Sequence, residues 1–329
     1  MEPELVTKKR IHLVAGRNNR ELAEEVADAL GVQLGEANIA EFANGELHCR
    51  FGESIRGADV FIFQGHSSNS SMSVNDAIIE QLIMVDAARR ASAKRITVVA
   101  PFYGYGRQDR KSSGREPITA KLIANMFTEA GAKRLVSVDL HSGQIQGFFD
   151  APVDHLTAMP VLVDWMARTL PENLVVVSPD AGRVKVAERY ANQLHADIAI
   201  VHKRRLVGEK NAVEAKDVVG DVEGRPCVLI DDMIDTAGTI VAAADQLVEK
   251  GASSVYAAST HGVFSGPAVD RLKNSVLEKV VITNTVEITP DKEFDKLEVL
   301  SAAGIIADAI DAVFEDTSVS EIFGGQNQH

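Results

Sequence analysis

The sequence predicts an α/β protein made of two similar doubly wound domains with mainly parallel sheets. Short apolar runs recur through the 329 residues, helical stretches separate them, and the whole pattern runs twice, with a break near APVDHLTAMP (151–160). The runs are IHLVAG (11–16), VFIFQG (60–65), ITVVAPF (96–102), LVSVDL (135–140), LVVVSP (174–179), IAIVH (198–202), CVLIDD (227–232), SVYAAST (254–260) and VVITNT (280–285). They are continuous rather than alternating, as in strands covered on both faces of a parallel sheet. Between them NRELAEEVADALG (19–31), VNDAIIEQLIMVDAARRAS (74–92) and TAGTIVAAADQLVEKGA (236–252) carry apolar residues at helical spacing. Gly31, Gly131 and Gly251 mark helix ends, where a left-handed residue costs least. Strand–helix alternation throughout means α/β. The predicted domains are 8–157 and 158–304, with the segment at about 305–323 packing back on the first, and the polar tail beyond Phe323 frayed.

Composition narrows the class. Apolar residues make up 45% and the mean hydropathy is −0.02, ordinary for a soluble protein. No apolar run approaches the ~20 residues of a membrane span, and MEPELVTKKR lacks the apolar core of a secretion signal. The two cysteines, Cys49 and Cys227, lie in strand-like runs without metal-ligand spacing and read as buried thiols in a reducing compartment, the cytoplasm. A net charge of −13 disfavours a broad nucleic-acid or anionic-membrane surface.

Ligands of doubly wound sheets bind beyond the carboxyl ends of the strands, and the chemistry of this sequence collects there. VLIDDMIDTAGT (228–239) runs an apolar strand into Asp231 and Asp232, then Asp235, Thr236, Ala237, Gly238 and Thr239 before a helix. Backbone N–H groups and hydroxyls at a helix start cradle an anion. Ionised carboxylates accept from vicinal sugar hydroxyls or hold Mg²⁺ through water. Phosphate at one end and diol at the other describe a ribose 5-phosphate. The plainer alternative is a capped helix with solvated carboxylates, although adjacent anions repel unless something cationic or hydroxylated lies beside them.

This stretch resembles the phosphoribosyl-binding signature of type I phosphoribosyltransferases, and the whole chain from about 10 to 323 resembles the ribose-phosphate pyrophosphokinase family. The resemblance is carried by EFANGE (41–46), PFYGYGRQDRK (101–111), REPITAKLIA (115–124), VDLHSGQIQGFFD (138–150), VVVSPDAGR (175–183), HKRR (202–205) and THGVFSGPA (260–268). It implies a phosphoribosyltransferase-like fold and transfer of the pyrophosphoryl group of MgATP to the anomeric hydroxyl of ribose 5-phosphate. Lys203 and Arg205, on a mobile loop, with His141, are then catalytic. Phe42, Asn44, Gly45, Glu46, Arg107 and Gln108 bind ATP. Arg205, Asp231, Asp232, Asp235, Thr236, Ala237, Gly238 and Thr239 bind ribose 5-phosphate. His141 and Asp180 hold Mg²⁺. Tyr103 and Tyr105 pack beside the nucleotide or serve only the core. The other eight histidines, His66 and His261 among them, read as ordinary hydrogen bonders.

The resemblance further implies a homo-oligomer, a hexamer, in which the EFANGE loop reaches a neighbouring subunit. Phosphate as activator and ADP as inhibitor would act near Ser54, Arg56, Ser318 and Ser320. Where the family usually has a second glycine this chain has Ala237, which fits only if its φ is negative. Two rival functions are a base-using phosphoribosyltransferase, which lacks the RQDRK and DLHSGQIQGFFD blocks, and a non-catalytic regulatory paralogue, which tends to lose the loop cations.

Overall fold

The computed structural model describes residues 9–204 and 215–322. The chain divides into two units: one takes in the chain up to Thr157, Thr285–Glu287 and the segment from Ala302 onward, the other Ala158–Asn284 and Ile288–Ser301.

The first unit holds β1 (Ile11–Ala15), α1 (Arg20–Leu30), β2 (Ala37–Glu41), β3 (Leu47–Phe51), β4 (Asp59–Phe63), α2 (Val74–Arg90), β5 (Arg95–Val99), α3 (Thr119–Ala130), β6 (Arg134–Val138) and β7 (Val153–Leu156). Its sheet is parallel in the order β1-β4-β5-β6-β7, while β2 and β3 form a separate antiparallel hairpin. Alternate strand residues serve opposite faces. Val14, Val60, Ile62, Ile96, Val98 and Leu135 share a core with Met84 and Val85 of α2 and Ile123 and Phe127 of α3. Leu13, Phe61, Phe63 and Val136 are equally buried but belong to the other side of the sheet. α2 starts at a capping box: Ser73 Oγ accepts from the Asp76 N–H, and the Asp76 carboxylate accepts from the Ser73 N–H.

The second unit holds α4 (Met159–Thr169), β8 (Val175–Ser178), α5 (Val184–Leu194), β9 (Asp197–Arg204), β10 (Ala215–Val219), β11 (Pro226–Ile234), α6 (Gly238–Glu249), β12 (Ser254–Gly262), α7 (Ala268–Lys273), β13 (Lys279–Thr283) and β14 (Leu297–Leu300). The strand order is β10-β9-β8-β11-β12-β13-β14, parallel apart from the β9–β10 hairpin. Chain order reverses between β8 and β11, so the switch point where doubly wound sheets take ligands lies at those two strand ends.

After β14 the chain returns to the first unit as α8 (Ala303–Glu315) and α9 (Val319–Ile322). α8 is apolar enough to bury Ile306, Ile310 and Val313 and packs against α1. Asp316, just past its end, bonds to Lys9 and to Arg95, and Arg95 also pairs with buried Asp59 at the start of β4. The Lys9 and Arg95 bonds hold the Asp316 carboxyl at about 2. No helix among the described residues is long and apolar enough to cross a membrane. Cys49 and Cys227 are unpaired, and burial pushes both thiols up to about 11.

His66, directly after β4, is fully buried and structural. Its Nδ1 accepts from the Gly104 N–H at 3.1 Å, which makes Nε2 the protonated nitrogen, donating to Gln81 Oε1 at 2.7 Å; the ring stacks on Phe127. Burial pulls its pKa down to about 4, against the Gln81 bond. The unfolded chain, with an ordinary histidine near 6.5, therefore takes up a proton first as pH falls. Stability from this group is complete above about 6.5 and is lost, by on the order of 3 kcal/mol, down to about pH 4. Urea midpoints measured across that window should show a shallower acid slope in His66→Gln than in the parent; equal slopes would assign the loss to other groups.

Candidate active site

In the second unit the acid pair lies inside β11 and not at its tip. β11 continues to Ile234 because β12 keeps pairing with it up to Gly262, whereas its pairing with β8 stops at Leu229. Beyond that point the β8 side of β11 is open, and the loop after β8 fills it. Asp180 begins that loop, exposed, its Oδ1 accepting from the Gly182 N–H at 2.8 Å. Arg183 follows and reaches back to the acids, with Nη2 2.5 Å from Asp232 Oδ1 and Nε 3.3 Å from Asp231 Oδ1. The cation that two adjacent carboxylates require is thus part of the protein. Sequence reasoning does not single out Arg183, because an arginine after a turn ordinarily points to water. Burial first, and then the Asp232 charge, raise the Asp231 pKa well above the carboxylate range, with Arg183 opposing. This group favours being neutral or having a donor against it.

Residues 235–239 form a turn after β11. The Asp235 carbonyl accepts from the Ser265 N–H, Thr236 and Thr239 are exposed, and α6 begins at Gly238. Ala237 departs from expectation: its φ is 60°, left-handed, where an alanine is expected to need a negative angle. Its methyl is buried in the core of the unit, which offsets the ~1–2 kcal/mol that a left-handed alanine costs. The turn therefore keeps the glycine-type backbone with a non-glycine residue.

The first unit assembles a second group of expected residues. A Cβ on Gly106 would meet the His141 Cβ at 3.5 Å, so the 141 loop lies against the 106–108 loop. Gln144 ties them further, its Nε2 donating to Asp109 Oδ2 at 2.7 Å, and Gln108 Oε1 accepts from Thr119 Oγ1 at 2.5 Å. Arg107 is exposed beside them. Phe42, Asn44, Gly45 and Glu46 occupy the β2–β3 turn, where Gly45 has a φ of 88° and Glu46 N–H donates to Asn44 Oδ1. Phe42 is 57% exposed with His48 edge-on to its ring, an unusual waste of apolar surface unless something stacks there. Tyr103 is buried, its hydroxyl donating to the Ala120 carbonyl, and is structural; Tyr105 donates to Asn75.

Ser54 and Arg56 lie exposed between β3 and β4, the Ser54 carbonyl accepting from Arg10. Ser318 and Ser320 flank the start of α9, 3.3 Å apart. The loop expected from Lys203 begins later: β9 carries the backbone through Arg204, and β10 returns from Ala215. Arg205 lies outside the described residues.

A switch point with an ion-paired acid couple, followed by a hydroxyl-rich turn into a helix, defines a phosphoribosyltransferase-like α/β protein. Residues 11–131 match the profile of the N-terminal domain of ribose phosphate pyrophosphokinase, and 205–324 that of the phosphoribosyl synthetase-associated domain. Ribose-phosphate pyrophosphokinase of Streptomyces avermitilis is 54% identical over 320 residues, 97% of this chain and 98% of that one. The Bifidobacterium longum protein of the same name is 52% identical over 325 residues, 98% and 94% of the two chains. The crystal structure of phosphoribosylpyrophosphate synthetase from Mycobacterium smegmatis superposes with a TM-score of 0.88 at 49% identity, covering 94% of this chain and 100% of that one. The chain belongs to the ribose-phosphate pyrophosphokinase family.

Proposed function

We propose that the protein makes phosphoribosyl pyrophosphate and AMP from MgATP and ribose 5-phosphate, in the cytoplasm and as a homo-oligomer, a hexamer. The observation that carries this reading is the acid couple and donor-rich turn at the switch point of the second unit. There Thr236–Thr239 take the 5-phosphate, while Asp231, Asp232 and Asp235 accept from the sugar hydroxyls and fix the anomeric oxygen for attack. A donated hydroxyl proton suits Asp231, whose burial disfavours a bare charge. The exposed Phe42 supplies a stacking face for adenine, Asn44, Gly45 and Glu46 its polar edges, and Arg107 and Gln108 the phosphate chain. Lys203 and Arg205 neutralise charge on the group in transfer, and His141 contacts it.

Mg²⁺ fits this donor set. Asp180 presents an exposed carboxylate, a hard oxygen donor of the kind Mg²⁺ takes. Such a site offers one or two ligands to an ion that keeps its waters and arrives with substrate phosphates. His141 and Asp180 would hold it, and it would supply charge neutralisation along the phosphate chain. Phosphate and ADP would act as effectors around Ser54, Arg56, Ser318 and Ser320.

The test is AMP release from ATP, which should require both ribose 5-phosphate and Mg²⁺. No AMP at any phosphate concentration would favour a regulatory paralogue, and turnover only with a purine or pyrimidine base would favour a base-using transferase.

A further inference from the structure

The turn at 235–239 is held from behind by one segment. Val263 and Phe264 N–H both donate to the Ile234 carbonyl, at 3.0 and 3.1 Å, and Ser265 N–H donates to the Asp235 carbonyl at 2.9 Å. The next carbonyl, that of Thr236, accepts from a side chain: Arg271 Nη1 of α7, at 2.9 Å. The Ala237 carbonyl takes the Val241 N–H as α6 begins. Four consecutive carbonyls are therefore drawn to the protein side. The backbone N–H groups of 236–239 find no acceptor among the described residues. Phe264 in the segment behind the turn holds a left-handed φ of 49°, and its ring is buried. Gly238 has a related meaning. Its φ is not left-handed, but a Cβ there would sit 3.3 Å from Arg271 Nη1, so the guanidinium lies over the turn where a side chain would otherwise be.

We propose that Arg271 is a positioning residue for ribose 5-phosphate, holding the Thr236 carbonyl back so that the 236–239 amides stay turned toward the sugar's phosphate group. It is the one side chain among these backbone clamps. The inference rests on the assignment of this turn to ribose 5-phosphate. Arg271 is exposed and outside the core, so its removal spares the fold and acts on one substrate.

Arg271→Ala should raise KM for ribose 5-phosphate on the order of tenfold, the scale of a charge-assisted hydrogen bond. The kcat and the KM for ATP should stay within about twofold, and Arg271→Lys, which retains a cationic donor, should recover most of the loss. Arg271→Met keeps the aliphatic stem and removes only the donor, so it decides the matter if the alanine variant melts early. A kcat loss with no change in KM, or a lysine variant as impaired as alanine, overturns the proposal. Thr239→Ala is the companion. If it raises KM for the sugar phosphate while Arg271→Ala and Arg271→Met do not, the turn binds the phosphate and Arg271 has no part in it. If none of the three changes that KM, the assignment of the turn itself falls, and the proposal with it.

Discussion

Replacing Arg183 with methionine should lower the unfolding free energy by about 3 kcal/mol near neutral pH, the scale of a buried ion pair that loses one partner. The Arg183 guanidinium and the Asp232 side chain are 17% and 8% exposed, so little solvent screens the carboxylates once the cation is gone. The deficit should also depend on pH. Asp231 already has a raised pKa from burial and from Asp232 beside it, so the folded state binds its proton more tightly than the unfolded chain does. A group of that kind costs stability as pH rises past the ordinary carboxylate value near 4, and the cost grows until the folded pKa is passed. Without Arg183, which opposes the rise, the Asp231 carboxyl should move further up, so the stability of the variant should fall more steeply with pH than that of the parent. Urea unfolding at pH 5 and pH 8 measures this. A deficit equal at both would mean that Arg183 matters for its packing and not for its charge.

Lys203→Ala should lower kcat on the order of 10²-fold or more, with much smaller changes in KM for either substrate. Lys203 stands one residue from the end of β9, on the hairpin at the edge of the second unit's sheet, opposite Lys216 of β10. In the proposed reaction a cation serves the group in transit more than one at rest, because the charge on a moving pyrophosphoryl group shifts as its bond to AMP lengthens. Initial rates at saturating and limiting substrate separate the two parameters. A raised KM with kcat intact would make Lys203 a ground-state phosphate ligand.

Much of the fold is legible in the amino-acid sequence. β1, β4, β8 and β11 are each built on a short apolar run, and burial on both faces of a parallel sheet is what such runs between helical stretches indicate. The β2–β3 hairpin is not legible, since its residues are half-exposed and follow no strong pattern. Strand order is also hidden, because the switch between β8 and β11 is set by tertiary pairing. Of the candidate site, the acid couple and the turn stand out as chemistry out of place after an apolar strand. Arg183 does not, because its partner Asp232 is 49 residues away and only the fold brings them together. The left-handed Ala237 runs against the sequence rule, because burial of its methyl offsets what the backbone angle costs. Arg271 escapes for the reason Arg183 does: one arginine on a short helix has no pattern of its own.

The return of α8 to the first unit has a consequence for how the molecule is made. That unit is discontinuous in sequence, and the helix that packs on α1 is encoded after the whole of the second unit. During vectorial synthesis the ribosome must release the second unit before this piece can dock. Until then the emerging amino-terminal half keeps an unshielded greasy surface, a natural point for chaperone engagement and for degradation of prematurely terminated products.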